Sequence, residues 1–307
     1  MLEDILKSKN CFKLICGAGN ENLEEVEKLV FLYSKAGCNF FDVSANTDVI
    51  RAAKRGLQKA GIAENRYLCV SVGVSGDTHV SKAFINQEKC KRCFKCFSVC
   101  PQSAIKSCIV DELKCVGCGR CQRICAYDAL EIKTCPTNLE ENLPKIIAEG
   151  VDCIELHATS DVEDEVLSSW KFINESFDGL TSICLGRTKL SDEKFIERIK
   201  KMLELSNKSA IIVQADGISM SGEINDYNAT LQAVAAGDLV RKAKLPVYVL
   251  ISGGTNSKSK ELAKLCEVDI NGVATGSYAR KIVKDYLCDK MSFDEALKIA
   301  TELVKSC

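Results

Sequence analysis

Short apolar runs alternate with amphipathic segments along most of the chain. The first apolar run, residues 12–16, is followed by apolar side chains three and four positions apart between Leu23 and Tyr33, which is the spacing of one helical face. Gly37 is expected to end this helix, and a second apolar run, residues 38–43, begins directly after it. The pattern therefore predicts a strand, a helix and a second strand at the start of the chain.

The same unit recurs to the end of the chain. The predicted strands are residues 12–16, 38–43, 67–74, 151–156, 181–185, 210–213, 246–251 and 272–274. The later predicted helices are residues 49–60, 162–177, 192–205, 227–243, 257–265, 279–287 and 293–304. Continuously apolar strands separated by amphipathic helices are typical of a parallel sheet that helices cover on its outer face.

Eight such units in about 250 residues have the size of a (β/α)8 barrel, and we expect this fold. A doubly wound open sheet is the alternative. The helix after the third strand is displaced along the chain to Thr137 and Glu140, which have the spacing of a capping box. We therefore predict a barrel formed by residues 1–79 and 136–307, and an inserted domain formed by residues 80–135.

The inserted segment is rich in cysteine, of which the whole chain has 19. Two runs share the spacing Cys-x2-Cys-x2-Cys-x3-Cys, and their members are Cys90, Cys93, Cys96, Cys100, Cys115, Cys118, Cys121 and Cys125. In ferredoxins with two [4Fe–4S] clusters, the fourth cysteine of each run binds the cluster of the other run. This spacing predicts a first cluster bound by Cys90, Cys93, Cys96 and Cys125, and a second bound by Cys100, Cys115, Cys118 and Cys121.

The sequence allows other interpretations of these cysteines. Zinc sites usually take their ligands as two separated pairs, a form that two complete runs of four cysteines do not have. Cys135 precedes Pro136 and could replace Cys125, which lacks the usual following proline. We keep Cys125, because that proline shapes a turn and does not bind metal. Cys108, between the runs, is expected to be a small packed apolar residue.

Composition and charge restrict the partners and the compartment. The 41 basic and 42 acidic side chains leave a formal net charge of −1, which gives no electrostatic reason to expect nucleic acid or an anionic membrane as a partner. No apolar run approaches the roughly 20 residues that span a bilayer, and residues 1–10 lack a signal-peptide core. We therefore expect a cytoplasmic protein, in which a disulfide framework is disfavoured.

The carboxyl ends of the strands should form the barrel mouth, where active sites are built in this fold. The side chains expected there are Cys16, Asp42, Ser44, His157, Cys184, Gln214 and Asp216. The candidate catalytic residues among them are Cys16, Asp42, His157 and Asp216. Each also has a structural interpretation, because aspartates cap helices, a histidine at a strand end often makes only hydrogen bonds, and a cysteine fills small apolar spaces.

The last two predicted strands are followed by small residues. Gly253 and Gly254 follow the seventh strand, and Gly276 and Ser277 follow the eighth. Backbone N–H groups at such positions, with a helix N-terminus behind them, can bind phosphate, and phosphate sites recur at this place in the fold. FMN or another phosphorylated ligand is the predicted occupant, and tight turns that require glycine are the alternative. No Gly-x-Gly-x-x-Gly motif follows a strand, which disfavours direct NAD(P) binding.

Several stretches resemble the light-dependent period protein (LdpA) family of cyanobacteria. Apart from both cysteine runs, the matching stretches are residues 12–18, 50–53, 214–222, 253–256 and 276–280. The cysteine runs are shared with all ferredoxins, so residues 216–222 and 276–280 carry more of the resemblance. The family consists of iron–sulfur proteins tied to redox input to the circadian clock, and the resemblance implies a redox-responsive protein.

Two functions of different classes are consistent with these features. In the first, the clusters relay electrons or sense redox state together with a redox partner protein, and the barrel is mainly a scaffold. In the second, the protein is an oxidoreductase whose clusters pass electrons to a flavin or a phosphorylated substrate at the barrel mouth. The resemblance favours the first function, and the polar mouth with its predicted phosphate site favours the second.

Overall fold

A closed barrel of eight parallel strands forms the body of the molecule. In the computed structural model, which describes residues 1–17, 19, 21–61, 64–75, 77, 80–187, 190–217 and 226–307, the barrel strands are β1 (Cys11–Ile15), β2 (Phe40–Ser44), β3 (Tyr67–Gly73), β8 (Cys153–His157), β9 (Leu180–Gly186), β10 (Ile211–Asp216), β11 (Tyr248–Ser252) and β12 (Gly272–Thr275). The sheet closes because β1 pairs in parallel with both β2 and β12. The (β/α)8 prediction is confirmed, and the open-sheet alternative is excluded.

Amphipathic helices surround the barrel. They are α1 (Leu2–Lys7), α2 (Leu23–Lys35), α3 (Thr47–Ala60), α6 (Leu139–Ala148), α7 (Glu163–Ser176), α8 (Asp192–Glu204), α9 (Asp226–Lys242), α10 (Ser259–Leu265), α11 (Ser277–Ile282), α12 (Lys284–Leu287) and α13 (Phe293–Ser306). The helix predicted over residues 279–287 is two short helices, α11 and α12. The N-cap of α6 is Asn138, one residue after the predicted Thr137, because the Asn138 side chain accepts the N–H of Glu141.

Helix α1 is an element that the sequence pattern does not predict. Leu2 and Leu6 are buried in it and pack with the innermost apolar side chains at the amino ends of the strands. Those side chains are Cys11, Phe40, Cys69, Cys153, Ile212 and Leu250. The helix therefore closes the end of the barrel opposite to its mouth. No helix among the described residues is long and apolar enough to cross a membrane.

The barrel is interrupted after its third strand by a segment with its own small sheets. This segment contains β4 (Ser81–Ile85), α4 (Lys95–Ser98), β5 (Ile105–Lys106), β6 (Ile109–Val110), α5 (Arg120–Ile124) and β7 (Leu130–Thr134). β4 and β7 pair antiparallel, with Ser81 opposite Thr134. The N–H of Cys135 also donates to the carbonyl of Val80 at 2.8 Å. The chain therefore leaves the barrel and returns to it at the same place.

Candidate metal centres and the barrel interior

Four cysteines of the interrupting segment meet at one cavity, which we call the first cavity. Its walls include Cys90, Cys93, Cys96 and Cys125. Cys90 and Cys93 come from the loop that leads into α4, Cys96 lies within α4, and Cys125 is the residue directly after α5. These are the four cysteines that the crossed spacing rule predicts for one cluster.

The other four cysteines meet at a second cavity. Its walls include Cys100, Cys115, Cys118 and Cys121. The N–H of Ala83 donates to the Cys115 sulfur at 3.3 Å, and the N–H of Ala104 donates to the Cys100 sulfur at 3.3 Å. Such N–H···S bonds are among the features that adjust the potential of an iron–sulfur cluster.

The donor set of both cavities consists entirely of sulfur. Burial, followed by the neighbouring thiols of Cys115 and Cys118, raises the pKa of Cys121 to about 11. Four thiolates at one place repel one another unless a cation balances their charge. Soft thiolate ligands select iron–sulfur clusters, zinc or copper(I). The cysteine geometry therefore fits an iron–sulfur cluster. It does not fit a hard cation such as Mg²⁺ or Ca²⁺, because such cations prefer oxygen ligands.

The two remaining cysteines of this region differ from each other. Cys135 is exposed and, within the described chain, is not part of the wall of either cavity. Cys108 is buried, as expected, but it also lines the first cavity, and its thiol is hydrogen-bonded to Cys90. Cys108 lies in the turn between β5 and β6 with a φ of 59°, a backbone conformation that favours glycine or asparagine.

The barrel interior contains a buried ionic network centred on Lys13 of β1. Its Nζ donates to Glu155 Oε2 at 2.7 Å and to Gln214 Oε1 at 2.9 Å, and it lies 3.1 Å from Asp42 Oδ2. None of these four side chains is more than 2% exposed. Asp42 is a candidate from the sequence, whereas the roles of Lys13 and Glu155 are not predicted.

Hydroxyl and amide groups complete the network. Ser71 Oγ donates to Asp42 Oδ1 at 2.6 Å, Ser182 Oγ donates to Glu155 Oε2 at 2.6 Å, and the Gln214 amide donates to Glu155 Oε1 at 3.0 Å. Both carboxylates are thus hydrogen-bonded as well as ion-paired. This arrangement offsets the large free-energy penalty of burying charge.

The pKa values of the buried charged groups shift for different reasons. Burial alone would lower the pKa of Lys13, but Asp42 and Glu155 raise it well above its usual value, so the ammonium stays charged. Burial raises the pKa of Asp42, Lys13 opposes the shift, and the negative charge of Glu155 adds to it. Asp42 is therefore the carboxyl group of the network that takes up a proton most readily.

His157 lies between two carboxylates at the end of β8. Its Nδ1 is 2.8 Å from Asp77 Oδ2, and its Nε2 is 3.7 Å from Glu155 Oε1. Burial would lower the pKa of the imidazole, but Asp77 and Glu155 raise it well above its usual value. His157 is therefore held as a cation, which is the form that donates a proton. Because Asp77 precedes β4, this ion pair also ties the start of the interrupting segment to the barrel.

The interior also brings together groups that could bind a metal ion. Ligand atoms of Glu155, His157 and Cys184 lie within 4.8 Å of one another, and so do those of Asp42, Cys69 and Glu155. Lys13 and His157 place two positive charges among the carboxylates of Asp42, Asp77 and Glu155. A dication would have to compete with these two cations for the carboxylate oxygens.

The other two catalytic candidates lie in unlike surroundings. Cys16 packs in the apolar core between strands and helices, and burial raises the pKa of its thiol far above the usual value, so it lacks the thiolate character of a nucleophile. Asp216 is half-buried and accepts a hydrogen bond from Ser252 Oγ at 2.7 Å. Asp216 therefore keeps a partly exposed carboxylate at the end of β10, whereas the Cys16 side chain is enclosed in the core.

The glycines predicted to bind phosphate have structural reasons to be glycine. Gly253 and Gly254 have φ of 70° and 89°, and a Cβ at Gly253 would lie 2.5 Å from Asp216 Oδ1. A Cβ at Gly254 would lie 2.3 Å from that of Ala229. The nearby Asp216 carboxylate would repel a phosphate. These contacts favour the tight-turn interpretation of the first pair.

The second pair precedes a short helix. Gly276 has an ordinary φ of −120°, and Ser277 begins α11, which is six residues long. A Cβ at Gly276 would lie 3.1 Å from that of Ile15, so close packing against β1 also favours a small residue there. Of the stretches that carry the family resemblance, Ala18 and residues 218–222 lie outside the described residues.

Sequence comparison identifies relatives of this chain. A family model described as the Light dependent period A C-terminal domain matches residues 145–305. Light dependent period A of Synechococcus elongatus is 29% identical over 300 residues, which cover 92% of this chain and 84% of the relative. The match to the relative therefore includes the segment that carries the eight clustered cysteines.

Solved structures of similar shape are distant in sequence. The YdjI aldolase of Escherichia coli has a TM-score of 0.49 and 11% identity, with 99% of this chain and 90% of that chain covered. The tryptophan synthase alpha subunit of Legionella pneumophila has a TM-score of 0.49 and 12% identity, with 99% and 95% covered. No conclusion about activity follows from similarity at this level.

Proposed function

The chain belongs to the Light dependent period A family, and on that premise we propose that it is an iron–sulfur redox protein that holds two [4Fe–4S] clusters. The observation that carries the proposal is the division of eight cysteines between two cavities. Cys125 joins Cys90, Cys93 and Cys96, and Cys100 joins Cys115, Cys118 and Cys121. Two groups of four cysteines with crossed ligands are what a two-cluster ferredoxin requires.

The same arrangement supports a ferredoxin-type domain within residues 80–135. Its apolar cluster is small, with Ala83, Ala104, Ile105 and Leu130 buried between the two groups of cysteines. The segment is held mainly by short elements, so ligation would supply much of its folding free energy. The clusters, when bound, supply one-electron chemistry; the protein supplies the thiolates, the N–H···S bonds and the partial exclusion of water.

In this role the protein relays electrons to or from a redox partner protein, or senses redox state through its clusters. Cys93 of the first cavity is exposed, whereas Cys115 and Cys121 of the second are only 8% and 7% exposed. The first site is therefore the one that a partner can approach closely. The second site lies nearer to the barrel, since the carbonyl of Leu113 accepts the N–H of Glu21 from the loop after β1.

A second candidate function is an oxidoreductase whose clusters pass electrons to a flavin or a phosphorylated ligand at the barrel mouth. The buried network of Lys13, Asp42, Glu155 and His157 favours it, because groups with shifted pKa values cluster at catalytic sites. The visible spectrum of anaerobically purified protein separates the two functions. Clusters alone give broad brown absorbance, whereas a bound flavin adds structured bands.

Metal content tests the main proposal. Anaerobically prepared protein is expected to contain about eight irons and about eight acid-labile sulfides per chain, as two cubic clusters require. Stoichiometric zinc with little iron would overturn the proposal.

Paired substitutions test the crossed ligands. Cys125→Ser and Cys93→Ser should damage one cluster, and Cys100→Ser and Cys118→Ser should damage the other, as judged by paramagnetic resonance of the reduced protein. Cys135→Ser is the matched control, because Cys135 is an exposed cysteine next to the same segment. A silent Cys125→Ser together with a damaging Cys135→Ser would show that the fourth ligand is misassigned.

A further inference from the structure

A basic and aromatic surface covers the first cavity. Between residues 89 and 97 the chain has four basic side chains and no acidic one, and the four are Lys89, Lys91, Arg92 and Lys95. All four are exposed, and Phe94 and Phe97 beside them are 54% and 52% exposed. We call residues 89–97 the basic face. Lys91, Phe94 and Lys95 are themselves part of the wall of the first cavity.

The positive charge of this face is not neutralised locally. Among the residues that the structure describes, no carboxylate lies within 4.0 Å of any of its four cations. The formal charge of the whole chain is nevertheless −1. The face is therefore a local positive patch on a nearly neutral molecule, and its centre lies over the more exposed of the two cysteine sites.

We propose that the basic face is the docking surface for an acidic protein that carries one electron; this proposal rests on the cluster function proposed above. Opposite charge steers the partner onto this patch, which raises the association rate by about 10- to 1,000-fold. The exposed rings of Phe94 and Phe97 provide the apolar centre that a transient interface needs. The docked partner then lies directly over the first cluster, so electrons enter or leave the protein there.

Charge and aromatic rings together also occur in proteins that bind single-stranded nucleic acid. Such sites follow the phosphate backbone along a groove, whereas the basic face is one compact loop of nine residues around three cysteines. The geometry therefore favours a compact acidic protein. Nucleic-acid binding is an outcome of the test.

The test uses the protein with its clusters and a reduced acidic flavodoxin as the probe. The triple variant Lys91→Glu, Arg92→Glu and Lys95→Glu should reduce the second-order rate of electron transfer at low salt by about tenfold or more. Its rate should also depend less on ionic strength. The matched control is Lys281→Glu, Lys284→Glu and Lys290→Glu, which changes the net charge equally at exposed positions on the barrel. The control should transfer electrons at the wild-type rate.

The outcomes separate failure of this proposal from failure of the cluster function. Wild-type protein without clusters would overturn the cluster function itself. Clusters that stay intact in both triple variants, with equal rates for the two, would overturn the docking surface alone. Unchanged flavodoxin rates together with tight, salt-dependent binding of a single-stranded oligonucleotide would also overturn it. A neutral small reductant should reduce all three proteins equally, which shows that the clusters remain competent.

A separate observation concerns the second cavity. Lys82 is 9% exposed, and its ammonium donates to the carbonyls of Cys115 at 2.9 Å, Glu112 at 2.8 Å and Gly19 at 3.0 Å. Its Nζ lies 3.9 Å from the Glu21 carboxylate. A buried positive charge that is bonded mainly to carbonyl groups therefore lies next to a cysteine of this cavity, and it also connects that cysteine to the loop after β1.

From this contact we infer that Lys82 is a positioning residue that raises the reduction potential of the second cluster. The added electron makes a cluster more negative, and a nearby fixed cation in a region of low dielectric stabilises that state. Electrons arriving at the first cluster would then move toward the second, on the barrel side. This inference also rests on the proposed cluster function.

Redox titration followed by paramagnetic resonance tests the role of Lys82. Lys82→Met should lower the reduction potential of one cluster by about 59 mV or more. For a one-electron couple, this shift corresponds to a tenfold change in the equilibrium constant for reduction. Lys82→Arg should keep the wild-type potential. The matched control is Lys133→Met, because Lys133 is directly opposite Lys82 in the β4–β7 ladder but is 52% exposed and paired with Glu131. Equal potentials in all variants with both clusters present would overturn the inference.

Discussion

The barrel interior and the interrupting segment both bury polar groups, but they stabilise them in different ways. In the barrel, the ammonium of Lys13 is matched by Asp42 and Glu155, and every carboxylate oxygen of these acids has a partner. In residues 81–134, two sets of four thiols face each other across cavities. The charged groups of the barrel are paired within the chain, whereas the cysteines, on the proposed cluster function, need a metal from outside. We therefore expect the barrel to fold without iron, and the cysteine segment to need it.

The largest expected effect is the response to removal of iron. Anaerobic chelation should release protection from hydrogen exchange across residues 81–134 while β1–β3 and β8–β12 stay protected, because ligation holds the small apolar cluster together. Far-ultraviolet circular dichroism should keep most of its helical signal. Loss of all helical signal in the iron-free protein would show that the two regions do not differ in this way.

A smaller effect is expected when the barrel network is broken. Lys13→Met leaves Asp42 and Glu155 buried without their cation, and the free energy of unfolding should fall by about 3–5 kcal/mol. Urea denaturation of the barrel measures this change. The matched control is Lys9→Met, which removes an exposed pair with Asp269 and should change it by about 0–1 kcal/mol. Equal losses in the two variants would show that the interior network is not what distinguishes the barrel.

The pH dependence of stability sharpens the same comparison. Because the pKa of His157 is raised in the folded state, its stabilisation is complete below its unfolded pKa of about 6.5. It is then lost as pH rises toward the folded value, with a slope of about 1.4 kcal/mol per pH unit. Urea midpoints between pH 6 and pH 9 should fall in the wild type and lack this slope in His157→Gln. Parallel profiles would contradict the assignment of His157 as a buried cation.

The smallest effect is expected from phosphate. If the contacts of Gly253 and Gly254 reflect only turn geometry, FMN or inorganic phosphate at millimolar concentration should leave the melting temperature unchanged. A ligand that binds the folded state must raise it once its concentration exceeds the dissociation constant. A clear rise in melting temperature that is absent in Gly276→Val would support the phosphate site and favour the oxidoreductase function.

The sequence predicts the barrel well because each strand can be recognised from its own local pattern of apolar residues. Residues 67–74 and 151–156, for example, are mainly apolar apart from Ser71, Asp152 and Glu155, and they become β3 and β8 with nearly the predicted bounds. The sequence pattern does not predict helix α1, because its apolar face has only two buried side chains, Leu2 and Leu6. These become buried only when the barrel has closed against them. Local periodicity carries no information about that closure.

The candidate sites likewise combine features that are visible in the local sequence with features that depend on the closed fold. The spacing of the cysteine runs predicts the two groups of four that line the two cavities, because that spacing can be read directly along the chain. Lys13 and Glu155 could have been noticed, because each is a charged residue in the middle of an apolar strand. Their partnership could not, since it joins β1 to β8 across the closed sheet. Gly253 and Gly254 show a limit of the sequence, because the contacts with Asp216 and Ala229 that favour the tight-turn alternative join separate elements of the fold.

The bond between Cys135 and Val80 has a consequence for how the molecule is assembled. The β4–β7 ladder holds the two ends of a long excursion together, and the N–H of Thr137 donates to the carbonyl of Gly73 directly below it. Because the entropy lost on closing a loop grows only with the logarithm of its length, β3 and β8 can pair almost as if a short turn joined them. The barrel can therefore complete its sheet whether or not the inserted segment has bound the clusters proposed for it.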